Sequence, residues 1–333
     1  MGGVTFRLAV IGSGFMGNLH AKNAFFHPVV ELVAVQDIEF ERAERLASVA
    51  RTTAVKDVTE ILEDESVDGV IIASSTDTHV EYLTRAVAAG KAVYCEKPIA
   101  LNYSDAERAV DEINGSSAPV MIGFNRRFDP SHLALKAAID EGRVGKVEII
   151  QLTSRGPQPP TIEYARVSGG QMRDQTVHFF DLLRWLTGDE PVEIYAMGAA
   201  LIVSAITDLG DVDTSIVTLR MASGALCQID CSRRTNYGYD ERVEVFGSDG
   251  LAESRRQNFR SFSLYQGASI VGDGLHYGWA NRLEESYYGA LDAFVACGRG
   301  LSAPSPSIVD GLRAQFLAEK ARESLEHHCP IRF

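Results

Sequence analysis

The feature that most constrains this chain is a glycine cluster, Gly12-Ser13-Gly14-Phe15-Met16-Gly17, set between the apolar run Leu8-Ala9-Val10-Ile11 and a helical pattern. It fits G-x-G-x-x-G. A lone match says little. Here it follows a strand and opens a helix, and Asp37 ends the second apolar run twenty residues after Gly17. That context predicts a dinucleotide site on a parallel sheet. Gly12 allows the tight turn, Gly14 lets the backbone approach a pyrophosphate, and Gly17 lets the helix pack on the strand. The helix entered through Phe15 and Met16 offers free N–H groups and a positive dipole end to phosphates. A carboxylate at Asp37 accepts ribose hydroxyls and repels a 2′-phosphate. Ile38 and Glu39 supply no cation, so NAD is the expected cofactor. An ordinary turn aspartate is the alternative for Asp37.

The alternation continues to about residue 125. Leu32–Val35 precedes the charged helical segment Glu39–Ala50, and Val70–Ala73 precedes a helix over Val80–Ala89. Ala92–Cys95, a helix near Ser104–Ile113, and Val120–Ile122 complete the series. Such a series predicts a doubly wound parallel sheet. After Pro130 the pattern changes. A helix over Ser131–Glu141, a strand over Val147–Thr153 and a helix over Thr176–Leu186 lead into period-2 runs at 192–197, 215–221, 226–232 and 242–246. These predict a large, mostly antiparallel sheet with one face covered. Gly267–Gly278 reads as loop, and helices are expected near Glu284–Cys297 and Ile308–His327, packing back on the first domain. The expected division is a dinucleotide domain over 1–125 and an α+β domain over 126–333.

Acids outnumber bases 45 to 32, for a net charge of −13. That argues against nucleic acid and anionic membrane surfaces, which need a basic face. No run of about 18 apolar residues suggests a membrane span. Met1-Gly2-Gly3-Val4 runs straight toward the first strand without a leader pattern, so the expected location is the cytoplasm. Cys95, Cys227, Cys231, Cys297 and Cys329 are odd in number and widely spaced, unlike a disulfide framework. Cys227 and Cys231 read as buried small hydrophobes, and no further metal ligands accompany them.

Two other patches carry chemistry. Glu96-Lys97-Pro98 follows Ala92-Val93-Tyr94-Cys95 at a strand's carboxyl end, where α/β sheets bind ligands. The proline fixes the backbone and removes a donor. Ser74-Ser75-Thr76 similarly follow a strand, where small hydroxyl residues line a groove or cap the next helix. His79 either contacts a nicotinamide ribose or is a first-turn helix residue. The second patch places Asp174 and His178 four residues apart, one turn on one helix face. That suits a base supported by a carboxylate. It also suits half a metal site or a plain surface pair.

Together, the glycine fingerprint, Glu96-Lys97-Pro98 and Asp174-x-x-x-His178 resemble the Gfo/Idh/MocA oxidoreductases over nearly the whole chain. Gly123–Pro130, Ser232-Arg233-Arg234 and Asn236–Asp240 resemble segments of the inositol 2-dehydrogenase branch. The resemblance implies a Rossmann domain with Gly12, Gly14, Phe15, Met16, Gly17, Asp37, Ser74, Ser75, Thr76, His79, Glu96 and Lys97 at NAD. It implies Lys97, Asp174 and His178 as catalytic residues, with Arg127 and Tyr239 joining them at a cyclitol. A neutral His178 then takes the hydroxyl proton, Lys97 stabilises developing alkoxide charge, and no metal takes part. Gly156–Pro160 and Ser168–Arg173 are expected to line the cleft. The expected reaction is oxidation of myo- or scyllo-inositol to an inosose, by a homo-oligomer, a tetramer as in relatives. A related sugar or polyol dehydrogenase and a catalytically inactive NAD-sensing regulator are the alternatives. Two positions depart from the inositol pattern: Phe179 stands where an acid is common, and Gln175 where methionine is common.

Overall fold

The computed structural model describes residues 5–333. The expectation that Met1–Val4 leads straight into a strand lies outside the described residues. The chain forms two compact units. One runs to Asn125 and includes Tyr287–Gln315; the other comprises Arg126–Ser286 and Phe316–Phe333.

The first unit is built on six strands: β1 (Phe6–Ile11), β2 (Val30–Gln36), β3 (Thr53–Val55), β4 (Gly69–Ile72), β5 (Ala92–Cys95) and β6 (Val120–Ile122). All are parallel, in the order β3-β2-β1-β4-β5-β6. Helices α1 (Phe15–Phe26), α2 (Phe40–Ala50), α3 (Val58–Leu62), α4 (His79–Ala88) and α5 (Tyr103–Glu112) connect them. β4 and β5 are buried along their whole length, as continuous apolar runs demand when both sheet faces are covered. α2 buries Ala43, Leu46, Ala47 and Ala50, an i, i+3, i+4, i+7 stripe. α3 starts in a capping box between Asp57 and Glu60. Strand order reverses between β1 and β4, where doubly wound sheets open a crevice for a ligand.

The second unit starts with α6 (Pro130–Asp140), capped by Asp129, whose carboxylate accepts from Ser131 N at 3.0 Å. Then come β7 (Val147–Arg155), α7 (Ile162–Val167), a π-helical turn at Met172–Thr176 and α8 (Val177–Thr187), which ends at Gly188 with φ 62°. The sheet adds β8 (Pro191–Ala199), β9 (Thr214–Met221), β10 (Leu226–Ser232), β11 (Asp240–Gly247) and β12 (Gly250–Ser254). A hairpin of β13 (Ser263–Gln266) and β14 (Ser269–Gly272) follows, then α9 (Trp279–Arg282), α10 (Glu284–Gly298), α11 (Ile308–His327) and β15 (Ile331–Arg332). α10 and α11 are long enough that each contributes residues to both units.

The seven-stranded sheet has the order β12-β11-β7-β10-β9-β8-β15. It is mostly antiparallel, but β7 and β10 run parallel. β9 alternates exposed and buried along its length, as the period-2 pattern predicts. Two expectations need correction. Gly267–Gly278 is not all loop, because Ser269–Gly272 pairs with Ser263–Gln266 around the turn at Gly267, φ +59°. The β-branched Ile270 and Val271 carry that strand despite the flanking glycines. The helix expected from Thr176 begins instead as a π-helical turn at Met172.

Candidate active site

The first unit carries the nucleotide half. A Cβ on Gly12, whose φ is +96°, would lie 2.5 Å from Ser74 N, so this turn is pressed against the end of β4. A Cβ on Gly17 would sit 1.8 Å from Gly12 O, which is why α1 can start so close to β1. Gly14 differs: a Cβ there would meet nothing within 4 Å. The space over Gly14 is open, and the N-terminus of α1 faces it without an acidic residue in the first turn or a side-chain cap. That cradle fits a pyrophosphate. Phe15 is 64% exposed at the helix entrance, and Met16 is half-buried. Asn18 Nδ2 donates to Ser13 O and Gly14 O, both at 2.8 Å, and holds the loop in shape.

Asp37 is buried just after β2. Its Oδ2 accepts from Ser13 N at 2.7 Å and its Oδ1 from Glu39 N at 2.9 Å. The carboxylate is therefore fixed against the glycine loop, and each oxygen retains a lone pair for a ribose hydroxyl. Ser74, Ser75 and Thr76 follow β4, with Ser74 Oγ 2.7 Å from Thr78 Oγ1. His79 opens α4 and is 2% exposed; Nδ1 faces Pro98 O at 2.9 Å and Nε2 faces Ser74 O at 3.2 Å. Burial pushes its pKa below the ordinary histidine value, against those carbonyls, so the ring is neutral near pH 7. A neutral imidazole carries a single N–H, and donated from Nδ1 to Pro98 O it ties the start of α4 to the loop after β5.

Lys97 is half-buried at the carboxyl end of β5, and the Lys97–Pro98 peptide bond is cis. Beside it, buried Glu96 lies 2.8 Å from His20 Nε2 on α1. A Cβ on Gly123 would lie 2.7 Å from Glu96 Oε2, so a larger residue there would push that carboxylate aside. Glu96 thus locks the strand end to α1.

The second unit carries Asp174 and His178. Asp174 sits half-buried in the π-helical turn, and His178 is 7% exposed in the first turn of α8. π-helical turns widen a helix and recur at functional sites. Gly169 and Gly170, at φ +78° and +86°, lead into this one, and Gln171 N donates to Asp211 Oδ1 at 2.9 Å. Gln175 fastens it to the sheet. Its Nε2 lies 3.1 Å from Ser154 O and 3.3 Å from Ser232 O, at the carboxyl ends of the parallel pair β7 and β10. Tyr164 OH donates to Asp174 Oδ1 at 3.0 Å, and Arg233 Nη2 is 3.4 Å from Oδ2. Neither partner stood out as a site residue in the sequence.

Arg127 and Tyr239 occupy buried polar networks of this unit. Arg127 grips Asp181 on α8 with two hydrogen bonds, 2.8 and 2.5 Å. Tyr239 OH donates to Glu241 Oε2 at 2.6 Å and accepts from Arg126 Nη2 at 3.0 Å. Phe179, the departure beside His178, is fully buried, with the Arg126 guanidinium 5.6 Å over its ring. Cys227 and Cys231 are free thiols pointing into the core, and burial pushes both pKa values up, that of Cys231 to about 12.

A doubly wound dinucleotide domain followed by a mixed-sheet domain bearing an Asp/His pair defines a two-domain, nicotinamide-dependent oxidoreductase. The chain belongs to the Gfo/Idh/MocA family: residues 6–124 match the oxidoreductase family's NAD-binding Rossmann fold, and residues 132–253 its C-terminal domain. Its cofactor is accordingly NAD. The chain is 39% identical to the inositol 2-dehydrogenase of Rhizobium meliloti, over 97% of both chains. It is similar to the crystal structure of a probable dehydrogenase from Thermotoga maritima, with TM-score 0.95, 38% identity and 98% of each chain covered. It is also similar to the myo-inositol dehydrogenase of Lactobacillus casei solved with NAD(H) and myo-inositol. There the TM-score is 0.88 and the identity 25%, over 99% of this chain and 97% of that one.

Proposed function

We propose that this protein is an NAD-dependent inositol 2-dehydrogenase that oxidises a secondary alcohol of myo-inositol, or of scyllo-inositol, to an inosose. The observation that carries the proposal is the 39% identity to an inositol 2-dehydrogenase over 97% of both chains. It is joined here to a complete set of Lys97, Asp174 and His178. NAD, when bound, supplies the acceptor for the carbinol hydride. The remaining work falls to side chains. His178 takes the hydroxyl proton, Lys97 donates to the reacting oxygen as it gains negative charge, and Asp174 orients hydroxyls and supports the imidazole. The nucleotide is held by the cradle over Gly14, with Asp37 at the adenosine ribose and Ser74, Ser75 and Thr76 along the groove.

The inactive-regulator alternative is disfavoured by the presence of all three reactive residues. Purified protein supplied with NAD and a panel of cyclitols and aldoses separates the remaining readings. NADH formed from an inositol and not from an aldose supports the proposal, and NADH from aldoses alone would transfer the protein to the sugar dehydrogenases.

The protein is further expected to work in the cytoplasm as a homo-oligomer, a tetramer by analogy with relatives. Among the described residues, no helix is long and apolar enough to cross a membrane. One face of the large sheet supports self-association. Leu251, Phe246, Ile149 and Leu226 are successive cross-strand partners over β12, β11, β7 and β10, and each is at least 41% exposed. A continuous exposed apolar row of this kind marks an interaction surface. Sedimentation of the purified chain gives its stoichiometry, and a monomer at micromolar concentration would remove this part of the proposal.

A further inference from the structure

Asp174 is gripped by two residues from separate segments. α7 brings Tyr164 to one carboxylate oxygen at 3.0 Å, and the segment after β10 brings Arg233 within 3.4 Å of the other. We infer that Tyr164 and Arg233 are positioning residues that fix the rotation of the Asp174 carboxylate and so set how it meets substrate hydroxyls. The inference rests on the proposed role of Asp174 in the reaction.

Both grips are themselves anchored. Thr161 caps α7, its Oγ1 accepting from Tyr164 N at 3.2 Å. Arg233 N donates to Asp213 O at 2.9 Å, and the Asp213 carboxylate accepts from the amides of Leu201, Ile202 and Val203 at 2.9 Å each. Arg233 is 4% exposed, and a guanidinium so buried demands an anionic partner. Its Nε is also buried and has no hydrogen-bond partner among the described residues. Arg173, the sequence neighbour of Asp174, is committed to Glu319 through bonds of 2.5 and 2.7 Å. Tyr164 is 48% exposed, yet its hydroxyl turns toward Asp174. Burial and the neighbouring carboxylate push the phenol's pKa up, so it stays a donor at any working pH. A carboxylate accepts at about four lone-pair sites. Donors on each of the two oxygens stop its rotation.

The test is a double-mutant cycle on turnover with NAD and inositol, using Y164F, R233K and D174N alone and in pairs. Tyr164 is half-exposed and loses only an oxygen in Y164F, so the fold is retained. R233K keeps the charge and loses the planar fork. Each of Y164F and R233K is expected to lower kcat/KM roughly tenfold, the factor carried by a hydrogen bond to an ionised group, with the Kd for NAD unchanged. In the D174N background neither change is expected to cost more, because both act through Asp174. Wild-type turnover in Y164F and R233K would overturn the inference, as would losses that multiply with that of D174N. Full activity in D174N alone would overturn the role of Asp174 and the inference with it.

Discussion

Two glycines three residues apart should fail in opposite ways. In Gly17→Ala the new methyl falls 1.8 Å from Gly12 O, about half an ordinary contact distance, and the obstacle is backbone that cannot rotate away. α1 must lift from β1. Overpacking of this kind costs up to about 3 kcal/mol, and alanine's better helix propensity returns up to about 1 kcal/mol. The net loss, about 2 kcal/mol, lowers the melting temperature by about 4–8 °C at roughly 2–4 °C per kcal/mol. In Gly14→Ala the methyl meets nothing within 4 Å. Gly14 has φ −71° and ψ −162°, a conformation any residue adopts, so stability should hold within about 0.5 kcal/mol. The methyl instead occupies the cradle. Losing charge-assisted bonds to the helix N-terminus costs about 1.5–3 kcal/mol, or roughly 10–100-fold in the Kd for NAD. Melting without cofactor and titration with NAD read the two effects separately. Wild-type NAD affinity in Gly14→Ala, or wild-type melting in Gly17→Ala, would refute the division of roles.

Other perturbations test the remaining groups. His178→Ala should lower kcat by about 10²–10⁴-fold while NAD binding persists, and unchanged turnover would remove His178 from the mechanism. Asp37→Ser removes a carboxylate bonded to Ser13 N and Glu39 N, and should raise kcat/KM with NADP relative to NAD. Wild-type protein that prefers NADP would contradict the assignment. Arg127→Ala leaves Asp181 buried without its bidentate partner, so denaturant unfolding should show a loss of about 3–5 kcal/mol alongside any loss of turnover. Lost turnover at full stability would make Arg127 a substrate contact alone. Burial pushes the Asp213 pKa up, but the three amides and Thr214 overcome it and hold it below the ordinary value. Its stabilisation is therefore present above that ordinary value and is lost as acid protonates the folded state. Asp213→Asn should cost about 2 kcal/mol at neutral pH. The gap from wild type should narrow below about pH 4.

The nucleotide half was legible because its signal is local. A turn that needs three glycines and a carboxylate at fixed spacing leaves those residues in the sequence, and Gly12, Gly17 and Asp37 show the contacts that demand them. Elements without local signal were missed. β3 is three residues long at a sheet edge, and α7 follows a proline-rich loop that hides its short pattern. The parallel pairing of β7 with β10 joins segments over seventy residues apart, for which period-2 runs give no direction. The π-helical turn looks like ordinary helix in sequence, because the contacts around it, Gln171 N to Asp211 and Gln175 to Ser154 and Ser232, join segments far apart in the chain. Tyr164 and Arg233 were invisible as partners of Asp174 for the same reason, although Arg233 lay in a segment already noted for its resemblance.

The most direct test of the whole account is the spectrophotometric assay of NAD reduction by the purified protein with myo-inositol and scyllo-inositol, with the product identified. The account predicts NADH in equal amount to an inosose, abolished or nearly so in His178→Ala. No NADH from any inositol, in protein that binds NAD and is correctly folded, would contradict it.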